Sequence, residues 1–329
     1  MTTTSFLPGR GPGRGRLLLL LRWGAAALIL FLLLRAVSVS AIVDATRAIE
    51  LRWAAAALAF SLAAQLAVAG RLKLLSDAFG LGASLAAMFR INLAALFYGM
   101  FLPAGNVAAA AVRYYRIARP REEYSAGAVV LVLDRLAAAA ALCAVGVAAW
   151  LLADPIDGRA ALAVMAAALV ILLLAHVVLL SRRASKAAEW LAPRLPERLA
   201  LASVAARSRR VPGRVLLGVA VASLVAHAFG VFAYQALAWA LGLDVSLLTI
   251  AWVRSAAMLA AMLPIAVAGL GVRDATLFAL LAPYGVSGGQ ALAFSLSVFA
   301  WTIVAVGAVG GALEGFRALA HRSNEVAGV

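Results

Sequence analysis

LAALFYGMFLPAGNVAAAAVR, residues 93–113, is the stretch on which the fold turns. An apolar run reaches Leu102, breaks at Pro103-Ala104-Gly105-Asn106, and resumes as a short apolar arm ending at Arg113. Proline removes a helical N–H donor and crowds the preceding turn, and glycine relaxes the backbone, so one unbroken helix is excluded. From Pro103 to Arg113 the return arm would be about 15 Å long, roughly half of a bilayer's hydrocarbon core. Broken backbone at that depth is tolerated only where protein or a wet cavity satisfies its polar groups. The region Leu85–Val112 therefore reads as a re-entrant hairpin. A second region, Leu247–Ala282, repeats the design with breaks at Leu263-Pro264 and Gly269-Leu270-Gly271.

Outward from these hairpins the chain is equally apolar. Its 329 residues are 65% hydrophobic and 13% charged, with a mean hydropathy of +1.01. A soluble domain is about a quarter charged, so this chain lacks the polar surface to cover a water-soluble fold. Further spans are expected at Leu17–Val37, Trp53–Gly70, Ala126–Ala153, Ala160–Leu180, Val215–Leu241 and Gly289–Leu313. At about 1.5 Å per residue, each can cross a core of about 30 Å. Leu17–Val37 is longer than a signal-peptide core and other spans follow it, so it reads as a retained anchor. The expected fold is an all-α polytopic membrane protein with six full spans and two re-entrant broken-helix hairpins. One transmembrane domain covers 17–314, flanked by a disordered basic N-terminus (1–16) and a cytoplasmic tail (315–329).

The net charge of +15 follows this layout. Segments 1–16, 71–84, 113–125, 182–213 and 315–329 hold 19 Lys/Arg and 6 Asp/Glu, whereas 38–51, 154–159, 242–246 and 283–287 hold 2 Arg and 5 Asp/Glu. The positive-inside rule then puts the basic set, and both termini, in the cytoplasm of a bacterial inner membrane. Anionic headgroups, not nucleic acid, are the partner this charge suits. The order span, span, hairpin, span occurs twice, over about 17–153 and 160–314, from opposite sides. Leu102-Pro103 precedes Val112-Arg113 as Leu263-Pro264 precedes Val272-Arg273. That is the pattern of an inverted repeat, with a site near the midplane where broken helices meet.

Other chemistry is excluded by what the residues can support. A single Cys143 gives neither a disulfide nor a cysteine metal cluster, and His176, His227 and His321 lack metal-ligand spacing. No Walker A or GxGxxG motif is present, and no polar interval is long enough for a soluble catalytic domain. No cofactor or metal is expected.

The run from Phe97 to Asn106 followed by Val112-Arg113 resembles the first signature of the lysylphosphatidylglycerol synthase transmembrane region, the flippase-like membrane proteins. Leu133-Asp134-Arg135-Leu136 is similar to its next, arginine-containing span, and the run from Leu263 to Asp274 to its C-terminal Pro/Gly signature. The resemblance covers nearly the whole chain in order and spacing. In bifunctional members it implies translocation of an aminoacylated phospholipid by the membrane part, with a separate soluble domain making that lipid, and many stand-alone members are assigned as lipid transporters. The chain ends at Val329, soon after its last span, so no aminoacyl transfer is expected of it. It departs from the family pattern at Ala108, Ala109 and Ala110, where Gly-Gly and an acidic residue are common, and at Ala266-Val267-Ala268-Gly269, where a Ser-Pro-Gly-Gly-like run is usual.

The candidate headgroup path is Arg113, Asp134, Arg135, Arg254, Arg273 and Asp274, because ionisable groups inside a membrane are costly and mark a pathway or an internal pair. Arg273 follows the Gly269/Gly271 break, so it belongs at a half-helix start whose free N–H groups already favour an anion. The breaks themselves are Pro103, Gly105, Asn106, Pro264, Gly269 and Gly271. Arg116, Arg119, Tyr114 and Tyr115 suit interfacial lipid contact. His176 and His227 read as packed, hydrogen-bonded residues, and the basic loop with Lys186, Trp190, Arg194, Arg198, Arg207, Arg209 and Arg210 as an interfacial stretch or a docking site for a lipid- or glycolipid-biosynthesis enzyme. The function expected is a lipid transporter or flippase. The alternatives are an intramembrane enzyme on a lipid-linked substrate and an accessory scaffold of a lipid-biosynthesis system.

Overall fold

The structure, a computed structural model, describes residues 49–101, 106–153, 155–181, 211–262 and 271–326, of which 101, 106 and 317–326 by backbone alone. Outside the described residues lie the N-terminal segment 1–16, the expected span Leu17–Val37, most of the basic loop (182–210), and the break residues Pro103, Gly105, Pro264 and Gly269.

Every described element is helical: α1 Leu51–Ala78, α2 Leu85–Phe101, α3 Asn106–Ala118, α4 Tyr124–Ala153, α5 Arg159–Leu180, α6 Gly213–Ala240, α7 Leu247–Ala261, α8 Val272–Leu281, α9 Gly288–Val298, and α10 Ala305–Val326, joined to α9 through a π-helical segment, Phe299–Val304. Alanine and leucine dominate these segments and favour helix. Polar residues act at the ends. Ser246 Oγ accepts from Thr249 N, and Ser287 and Gln290 exchange side-chain-to-backbone hydrogen bonds as a capping box. Helices α1, α4, α5, α6 and the continuous Gly288–Phe316 unit are long and apolar enough to cross a bilayer. The protein is a multi-pass helical membrane protein.

Helices α1 and α6 form the central antiparallel pair. The α1 stripe Ala54, Ala57, Ser61 and Ala64 is buried at three- and four-residue spacing, the small-residue surface that lets helices approach in lipid. At one end Glu50 N donates to Ala240 O at 3.0 Å and the Trp53 and Trp239 rings lie 4.8 Å apart. At the other, a Cβ on Gly218 would sit 3.0 Å from Leu74 Cδ1.

The two short-helix pairs, α2/α3 and α7/α8, each pack arm on arm, and each also packs on a long helix distant in sequence: α2 on α10, and α7 on α4. Their open ends lie at opposite ends of the bundle. Arg121 Nη1 donates to Gly82 O beside the α2 start, at the end rich in arginine. Gly158 packs against Trp252, near the α7 start, at the other end. The α2–α10 contact is backbone-close: a Cβ on Gly310 would collide with the Leu93 carbonyl, and one on Gly311 with the Phe97 ring. Gly307 and Gly311 make the GxxxG spacing that such close crossings use, a signal present in the sequence.

Two boundaries differ from the sequence-based expectation. The span expected to end at Gly70 continues to Ala78, so Arg71 and Lys73 are helical residues, not loop cations. Charge lowers hydropathy without breaking a helix. Leu72 and Leu75 are buried there, and Lys73 pairs with Asp77 one turn on at 2.6 Å. The last span, expected over Gly289–Leu313, likewise continues as helix to Val326.

Candidate functional site

Charges inside this bundle are few, and each has a specific setting. Asp134, on α4, is 2% exposed and accepts from Arg71 Nε of α1 at 2.7 Å. Arg71 Nη1 also donates to Ser223 Oγ of α6 at 3.1 Å, so one ion pair ties three helices. Arg113, on α3, is buried within the electrostatic reach of Arg135, Asp134 and Arg71. Its Nε has no hydrogen-bond partner among the described residues. Arg135 follows Asp134 but faces outward and is exposed, as the roughly 100° step between adjacent helical residues requires.

Arg254, on α7, is a buried arginine with no carboxylate in reach among the described residues, whereas Arg113 shares Asp134 with Arg71. It is 8% exposed, its Nε and Nη1 have no hydrogen-bond partner among the described residues, and its guanidinium lies 5.2 Å from the centre of the Tyr234 ring. Gly230 of α6 makes the space: any Cβ there would collide with Arg254 Nη2. Between the two groups sits His227, whose Nε2 bonds Ala138 O at 2.8 Å and which feels the fields of both Arg254 and Arg71. His176 Nδ1 bonds Leu172 O at 2.7 Å in its own helix.

These residues form a ladder through the bundle. From the arginine-rich end, and at about 1.5 Å per residue, Arg113 lies about 7 Å from its helix end, Asp134 about 15 Å and His227 about 21 Å. Arg254 lies about 10 Å from the opposite end of α7 by the same rise.

Arg273 and Asp274 form a separate knot at the start of α8. Asp274 accepts from Gly271 N at 2.9 Å, from Arg273 Nη2 at 2.8 Å and Nε at 3.1 Å, and from Ser295 Oγ of α9 through a short hydrogen bond. Gly271 has φ +86°, a conformation that favours glycine. The half-helix start expected from the sequence is present, and the carboxylate of Asp274 occupies it. Arg273, 2% exposed, arrives with its counter-charge on the next residue.

At the arginine-rich foot of α2/α3, Arg116 grips Glu314 of α10 through both carboxylate oxygens, at 2.8 and 2.6 Å. Arg116, Arg119 and Tyr115 line a cavity of about 1020 Å³ with Tyr98, while Tyr114 turns toward Tyr124, ring centres 6.2 Å apart. Asn106 begins α3.

Sequence reasoning missed Arg71, Ser223, Tyr234, Ser295 and Glu314. The signal for Arg71 was available: Asp134 inside an apolar span needs a buried cation. The other four become visible only through packing.

The family model for the lysylphosphatidylglycerol synthase TM region matches residues 17–310. The chain belongs to that family. No curated protein matches it. Membership ties this multi-pass membrane protein to lipid metabolism, and it was legible in the Pro/Gly breaks together with Arg113, Asp134-Arg135 and Arg273-Asp274.

Proposed function

We propose that this protein moves an anionic phospholipid, or an anionic lipid-linked intermediate, across a bacterial inner membrane. The headgroup would pass along the buried polar ladder while the acyl chains stay in the bilayer. The observation that carries this reading is the pair of buried arginines, Arg113 and Arg254, that have no carboxylate of their own among the described residues. An uncompensated cation inside an apolar bundle is costly, and a phosphate or other anion that visits it recovers that cost. Arg113 and Arg254 are the direct contacts, the Arg71–Asp134 pair shapes the path between them, the exposed Arg135 adds positive charge near Arg113, and Arg273–Asp274 holds the second hairpin beside it.

Exchange of packing partners between the halves, and hairpins open to opposite ends, support an inverted repeat with re-entrant hairpins. The arginine-rich end is then cytoplasmic. Cysteines placed at the exposed Ile156 and Ser287 should react with an impermeant thiol reagent added outside cells, and one at Tyr115 should not; the reverse labelling overturns this orientation.

Arg254→Gln tests the function. In proteoliposomes carrying fluorescent phosphatidylglycerol, translocation should fall by about ten-fold or more, the loss of at least one charge-assisted hydrogen bond. Thermal stability in detergent should stay level or rise, because the variant removes a buried charge with no partner. A fall in stability with translocation per folded molecule unchanged would make Arg254 a packing residue and remove the observation on which the proposal stands.

A further inference from the structure

A second cavity, of about 510 Å³, lies at the foot of the first hairpin and is separate from the buried ladder. Three guanidinium groups from three local segments line it: Arg90 from the start of α2, Arg116 from the end of α3, and Arg121 from the 3₁₀ turn Arg119–Arg121. Glu314 is the one carboxylate among its lining residues, and it is bound by Arg116 through both oxygens. Arg121 is held in place by its Nη1 bond to Gly82 O at 3.0 Å, which leaves its other N–H groups unassigned by that bond. Arg90 Nε is buried with no partner among the described residues. The rest of the wall is apolar, with Leu81, Met88 and Ile91.

Two cations in surplus, one oriented by a backbone carbonyl and one with a buried unsatisfied donor, call for a compact anion with several acceptor oxygens. Guanidinium forks match phosphate in this way. We infer that this cavity is a phosphate-group site, with Arg90 and Arg121 as its contacts and Arg116 joining only when the phosphate displaces Glu314. Binding there would compete with the Arg116–Glu314 tie between the first hairpin and α10. The inference deepens the lipid-handling reading, on which it rests for a lipid source of the phosphate, but the site's chemistry holds for a free phosphate as well.

The test titrates the purified full-length protein in non-ionic detergent with dihexanoyl phosphatidic acid and, separately, with inorganic phosphate, following heat of binding. Saturable binding of either supports the site. Tighter binding of the lipid assigns a membrane source, through the apolar wall, and equal or tighter binding of inorganic phosphate assigns a soluble one. Arg90→Gln and Arg121→Gln should each weaken binding about ten-fold, the value of one charge-assisted contact. Glu314→Gln should tighten it, because Arg116 is no longer held by a full carboxylate. Absence of saturable binding, or affinities unmoved by all three substitutions, overturns the inference. Translocation distinguishes the two readings: binding here without any translocation fails the transport proposal alone, and translocation without binding here fails this one alone.

Discussion

Asp134→Ala is expected to lower stability by about 3–5 kcal/mol, because it strands a buried arginine. Arg71 reaches Asp134 from another helix at 2.7 Å, and side chains of the pair are 4% and 2% exposed. Its remaining side-chain hydrogen bond, to Ser223, offers a dipole and no charge. Arg113 also lies in the field of Asp134, so the substitution leaves two buried cations facing each other with no anion among their described neighbours. Unfolding in detergent, followed by helical signal against denaturant, measures the loss. Asp134→Asn should cost less, since the amide oxygen still accepts from Arg71 Nε. The pair Arg71→Met with Asp134→Leu should recover most of the stability, because replacing both members of a buried ion pair by apolar groups is close to neutral. A loss below about 1 kcal/mol for Asp134→Ala, the range of an exposed pair, would mean that water reaches this site and that the three-helix tie does not hold the bundle.

Asp274→Ala should destabilise by a similar amount, about 3–5 kcal/mol, and by more than Arg273→Ala. The carboxylate receives the Gly271 N–H, two Arg273 donors and the Ser295 hydroxyl. Without it those donors are left buried and unsatisfied. Removing Arg273 instead leaves the carboxylate its bonds to Gly271 and Ser295 and its place in the first turn of α8, where the helix dipole favours an anion, so about 1–3 kcal/mol is expected. The sequence alone argued for Arg273 as an open phosphate grip, and that role makes the opposite demand: lipid binding per folded molecule falls while stability holds. Measuring both quantities on Arg273→Ala decides between them. The observed geometry supports the stability outcome, with Asp274 as the stronger member of the lock.

The membrane-embedded, all-helical character was legible in the sequence because hydropathy and helix length are local properties. A bilayer core demands about 20 apolar residues of continuous helix. Four of the expected spans, from Trp53–Gly70 to Val215–Leu241, appear as α1, α4, α5 and α6, each within a few residues of its expected start. The positions of the helical pairs α2/α3 and α7/α8 were legible too, since proline and glycine act on their own backbone. So was the family, whose motifs are runs of adjacent residues. The ionisable residues Asp134, Arg254 and Arg273 stood out because charge within apolar sequence is rare, and Arg113 because it belongs to the family's first motif.

Tertiary structure alone decided which charge meets which. Arg71 and Asp134 are 63 residues apart in sequence, Arg116 and Glu314 are 198 apart, and nothing local in either segment names the other. The same hydropathy logic that found the spans placed Arg71 and Arg113 in loops, because a scale that averages over neighbours assigns a charged residue to water. Burial instead depends on whether another helix supplies a counter-charge or leaves a guanidinium without one. That is why the sequence favoured Arg273, which follows the Gly269/Gly271 break, over Arg254 as the anion contact. In the folded chain Arg273 is neutralised by Asp274 one residue away, while Arg254 lies between Gly230 and the Tyr234 ring with no carboxylate among its described neighbours. An arginine's partner is a matter of position in space, and for these residues the packing of α6, α7 and α9 set it.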